Sequence, residues 1–125
     1  YHLHLIDTRS EALDGLKKYL RAQILKYAEK NINLLRRYFA KQPDLVSNEE
    51  IIEYFVTGAL DIVRLESAIE SAKSCSLVFE AVIENIEAKV DLFKKISSPS
   101  NYILTNTSSI PIALLNEKAE LDHRI

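Results

Sequence analysis

Apolar positions along this chain follow two alternating periods. Residues 1–7 (YHLHLID) alternate and close on an acid, which predicts a short strand. Thr8-Arg9-Ser10-Glu11 has capping-box spacing, so a helix is expected to begin there. Leu13, Leu16, Leu20, Ile24 and Tyr27 then recur at helical steps, with Lys17, Lys18, Arg21 and Lys26 outside the stripe. The pattern continues through Ile32, Leu35 and Phe39 with a bend, until Gln42-Pro43-Asp44 ends it. A second capping box at Ser47-Asn48-Glu49-Glu50 opens a helix carrying Ile51, Ile52, Phe55, Val56, Ala59 and Leu60. The two helical stretches are expected to form an antiparallel hairpin spanning about residues 9–60.

A brief strand is expected at 62–65, then a third capping box at Ser67-Ala68-Ile69-Glu70 with a short helix to Lys73. Residues 76–82 are short, continuous and apolar, the pattern of a strand buried on both faces. Asn85 is an expected N-cap for a helix with Ile86, Val90, Phe93 and Ile96 on one face, ending at Ser97-Ser98-Pro99-Ser100. Residues 102–105 predict another strand. After Asn106-Thr107-Ser108-Ser109, Pro111 suits the first turn of a last short helix.

Strands alternating with helices imply an α/β fold, with a partial, doubly wound parallel sheet of Rossmann type and an inserted helical hairpin. In such sheets ligands bind beyond the carboxyl ends of the strands. The polar residues there are Asp7, Glu80 to Glu84, and Asn106 to Ser109.

Composition narrows the function. Sixteen Lys and Arg against 18 Asp and Glu give a net charge of −2, with the cations dispersed, so no nucleic-acid surface is expected. No apolar run nears the roughly 18 residues of a membrane span, and no signal peptide is apparent, so no membrane association and a cytoplasmic location, or a mitochondrial or peroxisomal matrix in a eukaryote, are expected. Cys75 is the single cysteine, which excludes an internal disulfide and reads as a small buried hydrophobe. Gly15 and Gly58 are the only glycines, so no glycine-rich phosphate loop is present. With no Met and a first residue already in a strand, the sequence reads as a fragment.

Taken together, LVFEAVIENIEAKVDLFKKI and ILTNTSSIPI resemble two blocks of the NAD-binding domain of the L-3-hydroxyacyl-CoA dehydrogenase family, D-L-V-x-E-A-V-x-E-N-x-x-x-K-x-x-L-F and T-N-T-S-S. HLIDTRSEAL is similar to that family's second strand with its terminal acid. The resemblance covers essentially the whole chain, as a partial NAD-binding domain over 1–125 without the family's C-terminal helical domain.

The resemblance implies an NAD cofactor, an acyl-CoA substrate oxidised at its C3 hydroxyl, and a homodimeric full-length enzyme. It makes Asp7 the acceptor for the adenosine ribose hydroxyls, favouring NAD over NADP, with Arg9 nearby. Ala81 and Glu84 correspond to residues beside the nicotinamide-side ribose, and Lys89 to a lysine near the cofactor. Ser108 corresponds to the serine that hydrogen-bonds the nicotinamide end and the substrate's reacting oxygen, and Asn106 shapes its loop. Lys30 and Gln23 fall where family members touch the CoA moiety. The glycine-rich turn, the catalytic His of an H-F-x-N-P motif and its Glu partner fall outside these residues, and His123 precedes that motif. In the order 3-2-1-4-5-6 the first strand is central, so without it strands two and three separate from four and five. The isolated segment is expected to be inactive and prone to aggregate.

Each of these residues also has a plainer reading. Glu80 and Glu84 suit the positive end of the following helix, and Glu80 reads as structural. Asp7 suits a turn, and Ser108 and Ser109 an N-cap pair, with Ser109 read as the cap. His2 and His4 share a strand face at a spacing compatible with metal, but no cysteine or carboxylate partner is evident, so no metal site is assigned. Tyr19, Tyr27, Tyr38 and Tyr54 read as packing residues. Two other functions fit: a sister dehydrogenase of the superfamily acting on a non-CoA hydroxy acid, and a non-catalytic relative of the lens-crystallin kind.

Overall fold

A computed structural model describes all residues, Tyr1–Ile125. They fall into two compact units, Tyr1–Ser67 and Ala68–Ile125. The strands form two parallel pairs, one in each unit.

In the first unit, β1 (Leu3–Ile6) lies parallel to β2 (Val63–Glu66), with Leu3 opposite Val63 and Ile6 opposite Glu66. Parallel strands need a long crossover. Here it consists of α1 (Ser10–Lys30), α2 (Ile32–Tyr38) and α3 (Asn48–Asp61), with α3 packed on both others. Ala28, Leu35, Ile51 and Val56 form the buried centre, surrounded by Ile24, Ile32, Phe39 and Phe55. The expected bend falls at Asn31, whose side-chain amide donates to the Tyr27 carbonyl at 2.8 Å and competes with the helix ladder.

The three expected capping boxes fare differently. At Ser47 the box is complete: the Ser47 hydroxyl accepts the Glu50 amide at 3.1 Å, and the Glu50 carboxylate accepts the Ser47 amide at 2.8 Å. At Thr8 there is none, because the Asp7 carboxylate takes the Arg9 amide and α1 starts after Arg9 with no side-chain cap. At Ser67 there is none either. A 3-10 helix, Ile69–Ser74, begins after Ala68, and a tight i→i+3 turn lacks the α-helical first turn that the box requires.

Two packing expectations also change in this unit. Tyr27 stacks on Phe55, and Phe39 meets the rings of Tyr38 and Tyr54 edge-on, but Tyr19 stands outside the core on the polar side of α1. His4 does have a carboxylate partner: its Nδ1 lies 2.9 Å from the Glu66 carboxylate on the neighbouring strand.

In the second unit, β3 (Leu77–Glu80) lies parallel to β4 (Tyr102–Thr105), with Leu77 opposite Tyr102 and Glu80 opposite Thr105. Between them runs α4 (Ile86–Ile96), and α5 (Ile112–Ala119) follows β4 and packs on α4. Asn85 caps α4 as expected, its side chain accepting the Ala88 amide at 2.9 Å. Phe93, Ile96, Ile103, Leu115 and Leu121 form the core. Buried Asn101 is fully bonded, donating to the Ile96 carbonyl and accepting the Ser98 amide.

The expectation that residues 76–82 are buried on both faces is not met. Leu77 and Phe79 are 46% and 74% exposed, beside exposed Tyr102 and Leu104, while Glu80 on the alternate face is buried. A continuous apolar run cannot reveal this, because burial on the second face depends on what covers the sheet, and no element of this unit does. Cys75 is half-buried rather than enclosed. The outer edge of β4 is met by the chain end, where the Arg124 carbonyl accepts the Ile103 amide at 2.8 Å.

Candidate functional site

In the second unit, a shallow groove of about 370 Å³ lies at the carboxyl ends of β3 and β4, lined by Phe79, Glu80, Ala81, Leu104, Thr105 and Asn106. This is where open α/β sheets bind ligands. The segments leaving the two strands, 81–85 and 106–111, carry Ala81, Glu84 and Ser108, so the structure brings those three expected residues to one sheet end.

Glu84 organises this end. Its Oε1 atom accepts the Thr107 hydroxyl at 2.7 Å, the Ser108 and Ser109 amides at 3.0 Å each, and the Ser109 hydroxyl at 3.0 Å. The Thr107 hydroxyl foremost, then the loop amides, hold its carboxyl down at about 2. Four donors on one oxygen keep the side chain charged and fix the loop's backbone. The Ser108 hydroxyl makes no hydrogen bond to the rest of the chain, and Ser108 is exposed. Ser109 is not a helix cap: α5 begins after Pro111 with no side-chain cap, because the Ser109 hydroxyl is spent on Glu84.

Behind Glu84 lies a buried ion pair. Lys89 Nζ donates to the Glu80 carboxylate at 2.7 and 2.8 Å, with both side chains fully enclosed, and lies 3.6 Å from Glu84 Oε2. Glu80 also accepts the Val82 amide at 2.6 Å and the Thr105 hydroxyl in a short hydrogen bond. Glu80 is thus fully bonded within the chain. Lys89 stands on the buried face of α4 with Phe93 and Ile96, its ammonium committed to carboxylates and none of it open to solvent.

The first unit carries the other residues singled out. Asp7 follows β1, and both its oxygens are held by Arg9: the Arg9 amide and Nε donate to Oδ1 at 2.9 and 3.2 Å, and an outer guanidinium nitrogen to Oδ2 at 3.1 Å. The Arg9 side chain keeps the Asp7 carboxyl below its usual value. Lys30 ends α1 and Gln23 lies two turns back on the same face, both exposed. No cluster of three or more His, Cys, Asp or Glu side chains is arranged to hold a metal ion. No helix is long and apolar enough to cross a membrane.

Residues 1–125 match the family described as 3-hydroxyacyl-CoA dehydrogenase, NAD binding domain. The chain belongs to that family. As an NAD-binding domain of this kind, it is similar to a probable 3-hydroxybutyryl-CoA dehydrogenase of Bacillus subtilis, 26% identical over 115 residues, which are 90% of this chain and 34% of the relative. It is also similar to a peroxisomal fatty acid beta-oxidation multifunctional protein of Arabidopsis thaliana, 32% identical over 69% of this chain and 12% of the relative. A solved structure from work on substrate-directed dual catalysis of dicarbonyl compounds by a diketoreductase superposes with a TM-score of 0.60 at 20% identity, covering 95% of this chain and 38% of that one. That likeness bears on the fold, which is partial Rossmann-like. The NAD-binding domain thus spans about a third of the length of its Bacillus relative.

The residues of this NAD-binding domain fit the cofactor in part. A carboxylate follows β1 in the first unit, and in the second a groove lies at the ends of β3 and β4, where open α/β sheets bind ligands. Both glycines lie inside helices, so these residues contain no phosphate-binding turn. Sequence reasoning missed that Glu80, Lys89 and Thr105 act together. The available signal was Lys89 itself, four residues before Phe93 on an apolar helical face, where a lysine needs a buried acid.

Proposed function

We propose that this chain is the NAD-binding part of a 3-hydroxyacyl-CoA dehydrogenase that oxidises the C3 hydroxyl of an acyl-CoA, in fatty-acid or butanoate metabolism. The observation carrying this reading is the unbonded Ser108 hydroxyl, held at the sheet end by a loop that Glu84 fixes. NAD, when bound, supplies the hydride-accepting nicotinamide. Ser108 donates its hydroxyl to the oxygen on the substrate's C3, orienting that carbon; its role is positioning rather than nucleophilic attack. Glu84 and Ala81 lie beside the nicotinamide-side ribose, and the Asp7 carboxylate accepts the adenosine ribose hydroxyls once Arg9 swings aside. An exposed Asp–Arg pair is weak enough to part. Lys89 contributes to the cofactor end through the carboxylates it holds, and Lys30, at the solvent-facing end of α1, contacts the CoA moiety.

No histidine lines the groove: His2 and His4 are at β1, and His123 follows α5 with its amide on the Asn116 side chain. On this reading the general base comes from outside these residues, in the full-length protein, which we take to be a homodimer. The 125 residues alone are inactive under this reading. The test is NADH-dependent reduction of acetoacetyl-CoA by the full-length protein. Turnover that requires the CoA moiety supports the proposal, and turnover of free hydroxy acids in its place would assign the chain to a sister dehydrogenase.

A further inference from the structure

Glu80 and Lys89 are the two charged residues that this chain buries. Stability does not explain them, because a buried ion pair is often no better than apolar residues of similar size. Their placement offers another reason. Thr105, the last residue of β4, donates its hydroxyl to Glu80, and the Asn106 amide donates to the Glu80 carbonyl at 2.8 Å. Two residues later the loop switches to Glu84, which takes Thr107, Ser108 and Ser109. The segment 105–109 is therefore held at its start by one carboxylate and along its length by another.

A single cation couples the two. Lys89 Nζ donates to both Glu80 oxygens and lies 3.6 Å from Glu84 Oε2, the oxygen that the loop leaves unused. Without that charge, two carboxylates face each other with one fully buried, and the movable one is Glu84. We infer that Glu80 and Lys89 are positioning residues for Ser108, fixing its loop against β3 and α4 through Glu84. Their functional weight rests on the reading of Ser108 given above, but the coupling itself does not.

The experiment uses the full-length protein. Lys89→Met alone leaves a buried carboxylate unpaired and risks unfolding, so the main variant is Glu80→Gln/Lys89→Met, which keeps the shape and the hydrogen bond from the Val82 amide, the new side-chain amide donating to the Thr105 hydroxyl. Amide exchange at Ser108 and Ser109 is expected to rise by roughly tenfold, and kcat with acetoacetyl-CoA to fall by a similar factor while KM changes little. In a Glu84→Gln background the same pair of substitutions is expected to add nothing, whereas a merely structural role would add its full effect there. Unchanged exchange at Ser108 and Ser109, or effects that add in the Glu84→Gln background, would overturn the inference. Faster exchange with undiminished turnover, together with an active Ser108→Ala variant, would leave the coupling standing and remove the catalytic reading of Ser108.

Discussion

Glu84 Oε1 accepts the Ser108 amide at 3.0 Å while the Ser108 hydroxyl stays unbonded. The carboxylate thus fixes the serine's backbone and leaves its side chain for another partner. The polar end of an apolar strand is built around this division, which leads to a pH dependence.

The Glu84 carboxyl lies at about 2 in the folded chain, against 4.5 for an ordinary glutamate, chiefly because of the Thr107 hydroxyl. A lowered folded value contributes stability that is complete above the unfolded value and is lost as pH falls through the folded one. Amide protection at Ser108 and Ser109 is therefore expected to be full above pH 4.5 and to fall progressively toward pH 2. In Glu84→Gln that acid step disappears. Hydrogen exchange followed by NMR across this range checks it.

Removing one member of the buried pair strands the other. Lys89→Met is expected to destabilise by roughly 3–5 kcal/mol, and Glu80→Gln/Lys89→Met to recover most of that loss. Urea denaturation of the three proteins measures both steps, and a single variant as stable as the parent would contradict the burial described here.

The exposed apolar face of β3 and β4, with Phe79 and Leu77 beside Tyr102 and Leu104, is expected to drive self-association of the isolated 125 residues. Phe79→Thr keeps strand propensity and removes the most exposed ring of that face. Light scattering at matched concentration is expected to drop, with little change in thermal midpoint.

The helix caps separate real boxes from apparent ones. Ser47→Ala and Asn85→Ala are each expected to cost about 1 kcal/mol, because both side chains accept a first-turn amide. Thr8→Ala is expected to stay within about 0.5 kcal/mol, since Thr8 caps nothing. Equal losses at all three sites would contradict the assignment.

The sequence shows why some of this was legible. The strands and long helices follow from period and capping, and the caps at Ser47 and Asn85 lie where the pattern puts them. Thr8 and Ser67 matched the same spacing without forming boxes, because a neighbouring carboxylate in one case and a 3-10 turn in the other claimed the backbone first. The grouping of Ala81, Glu84 and Ser108 was readable from the strand-end rule and the family blocks. The work of Glu80 and Lys89 was not, because a nine-residue separation gives no local period and the contact exists only once α4 folds back on β3. The exposure of Phe79 was hidden for a similar reason: it depends on the sheet's covering, not on the strand.

The most direct test of the account is the kcat of Ser108→Ala in the full-length protein, with acetoacetyl-CoA at saturating NADH. The account predicts a loss of roughly a hundredfold, the scale of removing one hydrogen-bond donor to a reacting oxygen, with NADH affinity nearly unchanged. An unaltered kcat would contradict it and leave the Glu84-held loop as structure alone.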